Sequence, residues 1–148
     1  MRLWLLHPMA VHFPIALLFV GFAFHLAAFR KGTPEWPAAA AAWLLGLGAA
    51  AAWAALGLGL LAERTAPHVP GAWEVLGEHE ELAWWTCGLA SAAAASAFWL
   101  RRRSTAAPRW GRAALTVLWL AALGVLAATA EHGGELVYEH GMGQPERE

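Results

Sequence analysis

Residues 36–62 read WPAAAAAWLLGLGAAAAWAALGLGLLA, and none of these side chains carries a charge. A helix needs about 20 apolar residues to cross ~30 Å of hydrocarbon, and this run exceeds that length. In lipid every backbone N–H and C=O must be paired internally, which leaves only helices and closed barrels. The run is too long for a barrel strand, so it reads as a transmembrane helix. Similar runs flank it at about 8–29, 82–100 and 113–130. The intervening 30–35, 63–81 and 101–112 hold Gly, Pro and charges, the marks of connections. These features predict an all-α integral membrane four-helix bundle, up-down-up-down. It forms a single domain over 1–148 with a short C-terminal outer segment from about 133 to 148.

Composition supports this class. The 148 residues are 59% hydrophobic and 14% charged, with mean hydropathy +0.44, a balance suited to a membrane protein. The formal net charge is -1, so nothing points to nucleic acid. Cys87 is the single cysteine and reads as a small packed hydrophobe. It excludes an intramolecular disulfide, a Cys-x-x-Cys metal site and a Cys-x-x-Cys-His haem attachment. There is no nucleophile elbow, phosphate loop or His-Glu-x-x-His, and an enzyme is the least expected class. Gly46, Gly48, Gly57 and Gly59 in the second run read as close helix-packing positions.

Arginine sets the expected orientation. The two connections at one end of the bundle hold Arg30, Lys31, Arg101, Arg102, Arg103, Arg109 and Arg112, and the other end holds Arg2, Arg64 and Arg147. This bias puts the first end in the cytoplasm and both termini outside. The expected location is therefore the bacterial inner (plasma) membrane, multi-pass, N-out and C-out. All glutamates except Glu35 fall on the outer side. Trp4, Trp73, Trp84 and Trp85 fall near the outer boundary, and Trp36, Trp99 and Trp110 near the inner one, as interfacial belts do. The first run does not read as a cleaved signal peptide. It is long, contains His12 and Pro14, and ends in Phe29-Arg30 rather than a small-residue cleavage site.

Six of the seven histidines collect at the outer end on this topology: His7, His12, His68, His79, His132 and His140. His25 lies near the inner end. His25 and His68 read as interfacial polar residues, and His132 as a cation at a helix C-terminus. His12 lies inside an apolar run, where an ionisable side chain is a functional candidate. Pro8 suits a first helical turn. Pro14 removes the N–H that would bond Ala10, so either a kink or the start of the regular helix is expected near His12. His7 and His12 are about 140° apart on a straight helix and cannot both face one ligand there.

Imidazole ligates Zn, Cu, Ni and haem iron. Haem b between bundle helices needs one axial imidazole from each of two helices. His12, with one of His79, His140 or His7, is the leading candidate pair. Phe13, Ala16, Ala83 and Trp84 are candidates to wall the macrocycle. The alternative is a Zn or Cu binding or transport site using His7, His12, His79 and His140, with His132 ranked lower. Glu78, Glu80, Glu81 and Glu131 lie beside these histidines, and the thioethers of Met9 and Met142 suit Cu(I). A third class is a structural subunit whose histidines only brace the bundle's mouth.

Two segments, LHPMAVHFPIALL at 6–18 and GGELVYEHGMG at 133–143, resemble a bacterial membrane-protein family known as domain of unknown function 2231. The family's His-Pro-x-x-Val-His-Phe-Pro-Ile motif falls on His7, Pro8, His12, Phe13 and Pro14. Its histidine opening the third helix falls on His79. Its closing Gly-Gly-x-Leu-Val-Tyr-x-His-Gly motif falls on Gly133, Gly134, Tyr138, His140 and Gly141. The chain departs from the pattern at Gln144, and His132 lies outside it. The resemblance implies a small four-helix membrane protein. Such domains occur fused to Rieske-type or cytochrome c modules, which implies electron transfer.

The expected function is thus electron transfer through outer-face haem b, with lipid and a periplasmic or quinone-pool redox partner as partners and self-association as a homo-oligomer. Gly133-Gly134 is expected to end the fourth helix. The following residues through Gly141 are then expected to fold back over the outer mouth, bringing His140 near His7 and His12.

Overall fold

A computed structural model describes residues 3–30, 32, 34–67, 69–102 and 108–143. Those residues are helical apart from their connections. The first rod is built of a 3-10 turn at Leu3–Leu5, α1 (Leu6–Ala10) and α2 (His12–Ala27). Three long helices follow: α3 (Trp36–Thr65), α4 (Trp73–Arg102) and α5 (Arg109–Tyr138).

The break between α1 and α2 falls at Val11, which keeps helical backbone angles (φ -61, ψ -23). The cause lies three residues on. Pro14 has no N–H to give Ala10, so the ladder loses a rung there, while Val11 still bonds His7 O at 3.1 Å. Pro14 itself is buried and His12, the first residue of α2, is exposed.

The long helices outrun their apolar cores. α4 begins at Trp73, straight after a 3-10 turn at Pro70–Ala72, so the glutamate-rich 74–81 is helix rather than connection. Glutamate is a strong helix former, and apolar content alone marks only the lipid-facing part of a helix. α5 likewise runs through Gly133 and Gly134 to Tyr138, correcting the expected stop there. The expected outer segment from about 133 is therefore helical over its first residues. By length and composition Leu3–Ala27, Trp36–Thr65 and Arg109–Tyr138 can each cross a membrane. α4 is equally long, at 30 residues, but has Glu74, Glu78, Glu80 and Glu81 at one end and Arg101 and Arg102 at the other.

Small residues let the helices approach. Leu18, Leu45, Trp119 and Cys87 are the largest fully buried side chains, set among Ala41, Ala42, Ala49, Ala90, Ala93 and Ala97. Of the glycines in α3, Gly46 faces the Phe98 ring, Gly48 faces Leu18 and Gly59 faces His7, while Gly57 has open space. Outward, eight of the ten tryptophans are exposed, together with Phe13, Phe19 and Val117. So much large apolar surface is unsuited to water and suited to lipid.

The burial pattern repeats along the chain. The buried positions of α2 are Pro14, Leu18, Gly21 and His25, and 72 positions on α4 buries Thr86, Ala90, Ala93 and Ala97. Pro37, Ala41, Leu45, Gly48, Ala49, Ala52 and Ala55 are buried in α3, and 74 positions on α5 buries Gly111, Leu115, Trp119, Ala122, Leu123, Leu126 and Thr129. Both second helices have 30 residues and start on a Pro-x-Trp step, Pro34-Glu35-Trp36 and Pro108-Arg109-Trp110.

Candidate bis-histidine site

His7 projects from α1 onto α3. Its Nδ1–H donates to the carbonyl of Ala55 at 2.9 Å. One turn further along α3 is Gly59, where a Cβ would lie 3.1 Å from the ring's Cε1. His79 does the same from α4 onto α5. Its Nδ1–H donates to the carbonyl of Thr129 at 2.8 Å, and a Cβ at Gly133 would lie 3.1 Å from its Cε1. Each imidazole therefore rests on a bare glycine and hydrogen-bonds the carbonyl one turn earlier. The two ring planes stand nearly perpendicular, at 85°, with centroids 6.1 Å apart.

These hydrogen bonds fix the tautomer. A carbonyl oxygen only accepts, so Nδ1 carries the proton in both rings, and in the neutral ring Nε2 keeps its lone pair. Metal-ligating histidines are oriented in this way, with one nitrogen bonded to a backbone carbonyl and the other presented to the metal. Behind His79, the Thr129 hydroxyl donates to Val125 O at 2.8 Å and lies 3.1 Å from Thr86 Oγ1, so the Thr86 hydroxyl donates to it. Both threonines are buried, and the link ties α4 to α5 beneath the ring.

The other histidines have different surroundings. His132 directs Nδ1 to Ala128 O at 2.9 Å and Nε2 to Glu78 Oε2 at 3.2 Å. Both partners are acceptors, so this is the arrangement of an imidazolium, with no lone pair for a metal. His140 follows α5 and lies 4.0 Å from Glu135 Oε1. Beyond it Gly141 and Gly143 take φ +67 and +75, left-handed values that glycine adopts without strain. They turn the chain back so that a Cβ at Gly143 would lie 3.8 Å from Trp4 Cδ1. The tail thus returns toward the first rod, after a later helix end than expected. Gly133 serves His79 instead of terminating α5. Leu136 is buried and Tyr138 is exposed.

Of the residues singled out from sequence, His7 and His79 come together, His12 lies on an exposed face, and His68 falls outside the described residues. Among the described residues no group of three or more His, Cys, Asp or Glu could hold a metal ion. His25, read as an interfacial residue, is buried at the opposite end. Its Nε2–H donates to Thr116 Oγ1 at 2.8 Å, and Phe22, Phe29 and Trp119 surround it with centroids at 6.0, 5.0 and 5.4 Å. The Ala55 and Thr129 carbonyls could not be found from residue types, since any residue supplies one. The spacing of a glycine four positions later is the only trace they leave.

No curated protein and no solved structure matches the chain. The family described as "Predicted membrane protein (DUF2231)" matches residues 5–146, which takes in His7, His79, their carbonyl and glycine partners and the closing glycine turn. The chain therefore belongs to the DUF2231 family of predicted membrane proteins.

Proposed function

We propose that this membrane protein binds b-type haem between His7 and His79 and transfers electrons at the outer face of the bacterial inner membrane. The observation carrying the reading is the pair of imidazoles anchored through Nδ1 to different helices with centroids 6.1 Å apart. Two metal–nitrogen bonds of ~2 Å plus the half-width of each ring span about 6 Å, so the centroid separation matches that of two imidazoles sharing one ion. Haem iron asks only two ligands of the protein. His12 gives way to His7 in this reading because its side chain faces outward.

The topology proposed with it is four alternating passes, termini outside. Contacts run early-with-late in each half: His7 with Ala55, Leu18 with Gly48 and Phe24 with Trp36, then His79 with Thr129 and Leu100 with Gly111. That order supports antiparallel hairpins. The basic residues at the opposite end from the pair support a cytoplasmic placement for that end. The periplasm or the quinone pool then supplies the redox partner.

A bound copper ion is the second reading. Ala52, Leu56 and Cys87 pack together beside Ala55 on α3, and a bare ion needs no slot for a macrocycle. The visible spectrum of the full chain in detergent, as purified and after adding haemin, tests both. A Soret band that depends on His7 and His79 supports haem. Bound copper without a Soret band supports the second reading, and binding of neither defeats both.

A further inference from the structure

We infer that the two halves of the chain are copies of one helical hairpin, and that Ala55–Gly59 and Thr129–Gly133 are equivalent positioning seats that present His7 and His79 symmetrically to one shared ligand. The first part stands on the repeat. Four buried positions of the first hairpin's leading helix recur 72 positions on, and seven of its second helix recur 74 positions on. His7 and His79 keep the first offset. Ala55 and Thr129, and Gly59 and Gly133, keep the second. The two histidines are thus the same residue of the hairpin, meeting where the halves meet.

The second part stands on what the repeat retains. At the other end of the bundle the halves have diverged. His25, Thr116 and Trp119 form a packed polar and aromatic group, while their counterparts are Ala97, Ala42 and Leu45. Every one of the eleven repeated buried positions also differs in residue type, as Pro37 and Gly111 or Gly48 and Ala122 do. The seats have not diverged in function. The residue supplying the carbonyl changed from Ala to Thr without changing the carbonyl, and the glycine four positions later is glycine in both halves. On a helix that spacing puts the missing Cβ on the same face as the carbonyl, in front of the ring. A methyl at either glycine would press on Cε1 from 3.1 Å and turn the ring away from its carbonyl. Two rings held alike, with like nitrogens free, suit one ion bound equally by both. They do not suit two separate sites.

The shared-ligand part rests on the function proposed above, whereas the seats can be tested without it. The full chain, ¹⁵N-labelled at histidine and free of cofactor, is compared with Gly59→Ala, Gly133→Ala and the control Gly57→Ala, where a Cβ meets open space. Gly59→Ala is expected to shift the Nδ1–H resonance that His7→Gln removes, and Gly133→Ala the one that His79→Gln removes. Gly57→Ala is expected to move neither. Haemin titration of the same variants is expected to show one haem per wild-type chain, with each seat variant weakening binding about tenfold, as loss of an orienting partner does. His7→Gln and His79→Gln keep the glycines, and each is expected to weaken binding by more than that and to the same extent. Unmoved histidine resonances in both seat variants overturn the seats. An effect in one half alone overturns their equivalence, and two haems per chain overturn the shared ligand. If neither haemin nor copper binds the wild type, the proposed function and the shared ligand fall together, while the resonances still decide the seats. Should a seat variant fail to fold, unequal losses in the two glutamine variants overturn the equivalence.

Discussion

Gly48 of α3 leaves the space that Leu18 of α2 fills: a Cβ at position 48 would lie 2.7 Å from Leu18 Cδ2 and 2.8 Å from its Cγ. Leu18 is fully buried, so it cannot swing outward to make room. Gly48→Ala is therefore expected to destabilise the bundle by about 1–3 kcal/mol, the usual cost of overpacking a filled core. Gly57→Ala, into open space on the same helix, is expected to be neutral or to stabilise by up to about 1 kcal/mol through helix propensity. Unfolding in detergent followed by circular dichroism measures both. Equal stability of Gly48→Ala and wild type would show that the two helices part easily.

His25 is the second packing prediction. Thr116 donates its hydroxyl to Arg112 O at 2.9 Å, so its oxygen is free to accept the His25 Nε2–H. Arg112 lies over Phe29 at 4.3 Å and donates to Ala28 O at 3.3 Å, closing the group from the connection side. His25→Ala removes a buried ring and a hydrogen bond and is expected to cost about 2–4 kcal/mol. Its metal or haem content should equal wild type, since the ring is at the far end from His7 and His79. Loss of cofactor without loss of stability would assign His25 a different role.

The helices were legible in the sequence because lipid imposes one requirement, about 20 apolar residues in a row, and residues 36–62 meet it without interruption. Their ends were not legible. Glu74 to Glu81 look like a connection by polarity, yet polarity alone does not stop a helix, and glutamate favours one. Gly133-Gly134 look like a terminator, yet glycine ends a helix only where the backbone turns left-handed, and that happens at Gly141. The histidine cluster was visible as a bias toward one end. Which two histidines meet depends on the break at Val11 and on two backbone carbonyls, and neither is a property of residue type.

The orientation has a direct test. On a Cys87→Ala background, single cysteines at Gly71, in the turn before α4, and at Ser104, between α4 and α5 in sequence, are labelled in whole cells by an impermeant thiol reagent. The basic residues around the second position are expected to hold it inside, so Gly71→Cys labels and Ser104→Cys does not. Labelling of Ser104→Cys alone would invert the protein, and the proposed centre would face the cytoplasm.

The closing turn depends on backbone that only glycine adopts freely. Gly141→Ala at φ +67 is expected to cost about 1–2 kcal/mol locally. Met142 N then loses its 2.8 Å bond to Leu136 O, and the chain no longer returns to Trp4. Trp4 fluorescence is diluted by nine other tryptophans, so faster hydrogen exchange at residues 139–143 is the sharper readout. Unchanged exchange there would mean the turn is held by contacts other than its own backbone.

The ligand assignment is settled by four single substitutions read against one another. His7 and His79 have Nδ1 bonded to carbonyls and ring centroids 6.1 Å apart, so His7→Ala and His79→Ala are each expected to abolish cofactor binding. Removing one imidazole leaves the other on its own carbonyl, so the fold should persist and the loss should not track stability. His12 is exposed at the start of α2, and His140 is turned toward Glu135 at 4.0 Å, so His12→Ala and His140→Ala are expected to bind as wild type does. The four variants are compared by Soret absorbance and metal content per chain at matched helicity. Loss in His12→Ala with retention in His7→Ala would return the site to the outward face of α2. Loss in His140→Ala would make the closing turn a ligand-bearing element, so that ligand binding would draw His140 away from Glu135.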